Sequence, residues 1–249
     1  EGPTADFGVG SLCDKANISF TNNTIEPAGS TVDYTWNFGE GNTATAKDPV
    51  HSFGSMGMYD ITLTATSDNG CEDILIKSID IGEMPEAEFY VENVCEGEDL
   101  EILNASVAST NLTYNWDLGN GNTSTDESPV VSLSTGSHTI DLTVTTPQGC
   151  SDNISKTVEV KPMPTVVLDP VESGEDGEGT LVFVATTDAG ADYIWFFGDG
   201  GNQSGNTSTG EILTTYKYLA DGKYNVELRV TKDGCSQSAQ TSSFVSVTG

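Results

Sequence analysis

The chain has 249 residues, and its 38 acidic against 9 basic side chains give a formal net charge of −29. So negative a surface repels nucleic-acid phosphate and excludes a nucleic-acid partner. No run of eighteen apolar residues occurs, so no stretch of this sequence reads as a membrane-spanning helix. The chain starts at Glu1 rather than Met and shows no signal peptide, as expected of a piece cut from a longer protein. The acids are spread evenly along the chain, which suits solubility, with divalent-cation binding as the sharper alternative.

Taken in chain order, the text repeats three times. An opening segment FGVGSLC (7–13) leads to YTWNFGEGN (34–42) and then to MYDITLTATSDNGC (58–71). The series returns as FYVENVC (89–95), YNWDLGNGN (114–122) and HTIDLTVTTPQGC (138–150). Its third appearance is VVLDPVES (166–173), YIWFFGDGG (193–201) and KYNVELRVTKDGC (223–235), with Ser173 where the opening Cys would fall. Apolar and polar residues alternate through 59–65, 140–144 and 226–230, which predicts strands with one buried face. Turn signals at Asp68-Asn69-Gly70, Pro147-Gln148-Gly149 and Asp233-Gly234 close the hairpins. No amphipathic helix pattern of useful length appears. A repeat of about 80 residues made of short strands and turns predicts a β-sandwich. The expected domains are 1–83, 84–162 and 163–249, joined by short Pro-bearing linkers at 82–86 and 161–164 that act as semi-rigid spacers.

The W-x-F-G-x-G turn followed by an aromatic-led alternating strand resembles the PKD (polycystic kidney disease) domain. The third repeat carries the turn in full as Trp195, Phe197, Gly198, Asp199 and Gly200. The first has Glu40 for the Asp, and the second has Leu118 and Asn120 for the Phe and Asp. The H-x-F element, His51-Ser52-Phe53, drifts to Val131-Ser132-Leu133 and Tyr216-Lys217-Tyr218. The resemblance implies an all-β chain of three tandem immunoglobulin-like sandwiches, which the semi-rigid linkers are expected to arrange as an elongated rod. The Cys-bearing form is similar to PKD arrays of large secreted and surface proteins of Bacteroidota, which implies an extracellular or cell-surface location.

Trp36, Trp116 and Trp195 recur at one fixed place, which marks core residues; a carbohydrate platform is the alternative. Gly39, Gly119 and Gly198 follow in a turn that needs unusual backbone angles, and no helix follows to make it a phosphate cradle. Cys13 and Cys71, and Cys95 and Cys150, form two pairs at matching repeat positions. In an extracellular chain they read as one disulfide within each of the first two repeats, with Cys235 as an unpaired thiol. Reduced buried thiols are the alternative. No C-x-x-C spacing supports zinc.

Calcium is the candidate ion, with Glu96, Glu98, Asp99, Glu172, Glu175, Asp176 and Asp199 as the acids considered and no ligand set assigned. His51 and His138 lie in different repeats and form no metal or catalytic motif. No nucleophile elbow occurs, and the chain reads as non-enzymatic. The leading function is a structural spacer or stalk in a large extracellular adhesin, each module folding on its own core with few contacts across the linkers and its partners being neighbouring repeats. The alternative is an accessory module of a secreted hydrolase that binds a polysaccharide or protein ligand.

Overall fold

The computed structural model describes residues 2–170, the backbone of 172–173, and residues 179–246. Strands account for all of the regular structure among them, and no helix is long and apolar enough to cross a membrane. The chain groups into two compact units. One comprises 1–91, 101–130 and 139–157, and the other 92–100, 131–138 and 158–249.

In the first unit, the first repeat packs two sheets face to face. One sheet orders Phe7–Val9, Ile18–Asn22 and Val50–His51. The other orders Thr43–Ala44, Val32–Asn37, Gly57–Ser67 and Glu72–Ile81. Along Gly57–Ser67 the alternation puts Ile61, Leu63 and Ala65 inside, where they meet Phe7, Phe20, Trp36, Phe38 and Phe53. This single apolar layer, removed from water by both sheets, is the main stabilising term. The Phe7 and Trp36 rings meet edge to face at 5.2 Å between centroids, an arrangement aromatic quadrupoles favour.

The same unit holds most of the second repeat. Thr113–Asp117 pairs antiparallel with 141–145 of the following strand, Trp116 lying opposite Leu142. Phe89 meets Trp116 at 5.2 Å, as Phe7 meets Trp36. Lys77 and Lys156 reach back from the last strands of these repeats to equivalent places. Each donates to an acid and to a backbone carbonyl on the first strand, Asp6 and Phe7 or Glu88 and Phe89.

In the second unit, the third repeat orders Asn202–Thr207, Ala191–Phe196, Gly222–Lys232 and Cys235–Val245 in one sheet. Thr180–Thr187 of the opposing sheet pairs with Val166–Leu168, Glu172–Ser173 and Glu211–Lys217. Phe183, Trp195, Phe197, Tyr218, Val226, Leu228 and Val230 fill the space between.

The cysteine pairing corrects the expectation. Cys13 is bonded to Cys150 and Cys95 to Cys235, each with Cα atoms 5.7 Å apart, while Cys71 is free and exposed. Cys235, expected to be unpaired, is therefore a cystine half, and no cystine lies within a single repeat. The reason is the length of each last strand. Cys13 bridges in parallel to Gly82, at the far end of Glu72–Ile81 from Cys71. Cys95 pairs with Lys161, at the far end of Ser151–Lys161 from Cys150. Eleven residues of extended chain separate the two cysteines of a repeat by roughly 35 Å, far outside the roughly 7 Å reach of a cystine.

Candidate functional site

The cystines sit in two junctions built to one plan. In the first unit, the opening loop of the first repeat turns back along the exit of that repeat's last strand. Gly82 N–H donates to Leu12 O, and Asp14 N–H donates to Gly82 O, both at 2.8 Å. The buried Asp14 then accepts the Met84 N–H at 2.6 Å. Glu83 accepts both the N–H and the hydroxyl of Ser109 in the second repeat, at 2.7 and 2.6 Å, and this holds its carboxyl below the usual carboxylate range. Gly82 passes so close to the second repeat's closing hairpin that a Cβ there would lie 2.7 Å from Gln148 Cβ and 3.0 Å from Cys150 Sγ. Only a glycine leaves room for the cystine beside it.

In the second unit, Val94–Cys95 pairs in parallel with Val160–Lys161, and Glu96 N–H donates to Lys161 O at 2.8 Å. Asn93 accepts Glu159 N–H, and Glu98 caps the Cys95 N–H at 2.9 Å. Lys161 Nζ donates to Asp233 O in the third repeat's closing hairpin, whose next-but-one residue is Cys235. Each junction therefore joins the opening loop of one repeat to the closing hairpin of the next.

The Trp turns are structural. Gly39, Gly119 and Gly198 adopt φ of 86°, 73° and 83°. A Cβ on Gly198 would stand 2.5 Å from Asn225 O, so this position needs glycine for space as well as for conformation. All three tryptophans are buried. Trp36 and Trp116 donate their indole N–H to the carbonyls of Ala46 and Asp126, at 3.0 and 2.8 Å. Trp195 has no such acceptor, because the segment after its turn forms the long strand Asn202–Thr207, which sets Gly205 opposite Tyr193.

The acid of the turn serves a stacked partner. Phe38 stacks on His51 at 4.2 Å, and His51 Nε2 lies 2.6 Å from Glu40. Asn42 first, and His51 second, hold the Glu40 carboxyl below its ordinary range. In the third repeat Phe197 stacks on Tyr216 at 3.7 Å, and the Tyr216 hydroxyl donates to Asp199 at 2.9 Å. The second repeat changes all three positions together, to Leu118, Asn120 and Val131.

Three of the acids considered for calcium are likewise engaged. Glu98 caps Cys95, Asp99 accepts from the Ser132 hydroxyl, and Asp199 accepts from Tyr216 and from Gly201 N–H. Glu175 and Asp176 lie outside the described residues, as does the side chain of Glu172. Among the described residues no group of three or more His, Cys, Asp or Glu side chains is close enough to hold a metal ion. His51 is stacked in the first repeat, and His138 reaches Ser134 O in the second. Tyr90 is exposed beneath Lys156, whereas Tyr193 is partly buried against the third core.

Repeated two-sheet sandwiches, each closed over a Trp–Gly turn, define the chain as tandem immunoglobulin-like repeats. It belongs to the PKD domain family: models described as PKD domain match residues 1–80 and 159–247, and 91–160. A microbial collagenase of Vibrio alginolyticus is 38% identical over 55 residues, covering 22% of this chain and 7% of that protein. The collagenase ColA of Bacillus cereus is 41% identical over 44 residues, covering 18% of this chain and 5% of that protein. The chain thus spans less than a tenth of the length of these relatives. The solved PKD1 domain of the Vibrio cholerae metalloprotease PrtV is 28% identical with a TM-score of 0.30, covering 33% of this chain and 99% of that one.

Proposed function

We propose that this chain is a non-catalytic, cystine-stapled spacer within a larger extracellular protein of the surface-adhesin kind. The observation that carries the reading is the pairing itself: both bonds join successive repeats at equivalent positions. Cystines persist in oxidising, extracytoplasmic compartments, which supports that location. The two closed loops interlace in sequence, since Cys95 lies inside the 13–150 loop and Cys150 inside the 95–235 loop. Pulled from its ends, the chain has a shortest covalent path of residues 1–13, back along 150–95, and out along 235–249. That path is roughly 300 Å when fully extended, against about 870 Å for the reduced chain. A segment so stapled resists lengthening under load even when its sandwiches open, as befits a stalk.

A second reading rests on the matched relatives, which are named collagenases and a metalloprotease. In it the same stapled segment spaces a hydrolase domain from its substrate. Single-molecule pulling tests the mechanical role. The expected result is an oxidised chain limited to about a third of the reduced contour, and full extension under oxidising conditions contradicts it. Incubating the purified chain with gelatin, peptides and common polysaccharides tests the non-catalytic part. Turnover that disappears with a single carboxylate-to-amide substitution would sink that part.

A further inference from the structure

Cys71 is the one cysteine that neither junction uses, and each later repeat holds a counterpart of it. It is the counterpart of Cys150 and Cys235: each of the three follows a left-handed glycine at the tip of the closing hairpin, Gly70, Gly149 or Gly234. The hairpins of the first two repeats share two backbone bonds. Ser67 N–H donates to Cys71 O and Thr146 N–H to Cys150 O, while Gly70 and Gly149 donate to the carbonyls of Ser67 and Thr146. Cys150 and Cys235 are 1% and 0% exposed, each bonded to the opening-loop cysteine of the repeat before it, whereas Cys71 is exposed.

The approach to the hairpin is laid out in the same way. Ala5 and Ala87 occupy equivalent places, each donating its N–H to the matching carboxylate, Asp73 or Asp152. Counting back from them, Gly2 corresponds to Met84, the residue whose N–H the opening-loop Asp14 receives. Gly2 is exposed and runs beside Cys71, a Cβ on it falling 3.2 Å from Cys71 Cβ.

We propose that Cys71 and the Gly2 backbone form an open docking site for the opening loop of a further repeat joined ahead of this one in the same polypeptide. The loop it fits carries Cys followed by an acid, as in Cys13-Asp14 and Cys95-Glu96. The cysteine bonds to Cys71 and the acid receives Gly2 N–H. A tethered neighbour is the fitting occupant because both bonds already present join adjacent repeats, and a short tether gives the loop a millimolar effective concentration. The bond forms by exchange with a small-molecule disulfide such as oxidised glutathione. That reagent first caps the incoming cysteine, releasing one glutathione thiolate. The Cys71 thiolate then attacks the capped sulfur, forming the new S–S bond and expelling the second glutathione thiolate; both leaving thiolates take up the protons lost by the two cysteines. At the other end, Ser173 supplies no thiol, so stapling by this rule stops at the third repeat.

The inference rests on the stapled-array reading, and its test separates the two. A copy of residues 1–82 fused directly ahead of Glu1 recreates the Gly82-Glu-x-Pro junction in register. Refolded in a glutathione redox buffer and mapped without reduction, the four-repeat chain is expected to carry three bonds. The third links the added Cys13 to the original Cys71, and one alkylatable thiol remains, the added Cys71. With Cys13→Ser in the added copy, two alkylatable thiols are expected. Formation of both original bonds with the original Cys71 still alkylated overturns this proposal alone, as does a Cys71–Cys71 bond between chains. Absence of the original bonds from the unfused chain as well overturns the stapled reading itself. If only the fusion misfolds, the unfused chain decides. It is offered a glutathione-capped peptide of residues 9–17, and labelling of Cys71 at least about tenfold faster than by a scrambled peptide is expected. Equal rates contradict the proposal.

Discussion

The two junctions reach one geometry with different side chains. Around Gly82 the linker is clamped by backbone, with Leu12 and Asp14 on one side and the Gln148 hairpin so near that no side chain fits. Around Lys161 a parallel strand pair extends the contact, and a charged side chain reaches the next hairpin instead. A steric limit at Gly82 thus joins the polar contacts of Asp14 and Glu83 at the first junction, while Lys161 adds an exposed polar contact at the second. Both junctions share the parallel return of the opening loop and a backbone bond onto the linker, Asp14 N–H to Gly82 O or Glu96 N–H to Lys161 O, and the cystine is the covalent element they share.

Removing the shared element should cost most. Cys13→Ser or Cys235→Ser opens a loop spanning 137 or 140 residues, and each is expected to destabilise its unit by about 2–5 kcal/mol. Denaturant melts of each variant check this, and Cys71→Ser serves as a control with little effect. Next comes the linker contrast. Gly82→Ala should cost about 1–3 kcal/mol through overpacking against Gln148 and the cystine. Lys161→Met, which gives up an exposed hydrogen bond, should cost under about 1 kcal/mol. Equal losses would show that the junctions do not differ as described.

The cores offer a smaller contrast. Trp36→Phe strands the Ala46 carbonyl as well as losing volume, whereas Trp195→Phe gives up no such bond. The first should therefore exceed the second by about 1 kcal/mol in urea melts. The least effect is expected from acid. Asp6 and Glu88 are held low chiefly by hydrogen bonds from Lys77 and Lys156, and Glu40 by Asn42 and His51. Their unfolded forms take up protons near the ordinary values of 3.8 and 4.5, before the native forms do. Stability is accordingly retained above that range and falls as pH drops through it. A melting temperature unchanged between pH 5 and pH 3 would contradict this.

Sequence alone carried the repeat, the sheets and the family, because period-two alternation and the Trp–Gly turn are local signals. The acid of the turn was visible, but its partner was not. His51 and Tyr216 lie on another strand, and only the sheet's packing brings them over Phe38 and Phe197. The cysteine partners are hidden from the sequence for a related reason. Matching positions suggested pairs within a repeat, yet a ten- or eleven-residue last strand carries the closing hairpin and the opening loop to opposite ends. The strand length was readable; the parallel return of the opening loop onto that strand's exit was not, since no local pattern announces it.

The most direct test of the account is a disulfide map of unreduced proteolytic peptides from protein folded under oxidising conditions, with free thiols blocked beforehand. The expected map links the peptide holding Cys13 to that holding Cys150, and the peptide holding Cys95 to that holding Cys235, with Cys71 alone carrying the blocking label. Bonds from Cys13 to Cys71 and from Cys95 to Cys150, with the label on Cys235, would contradict it.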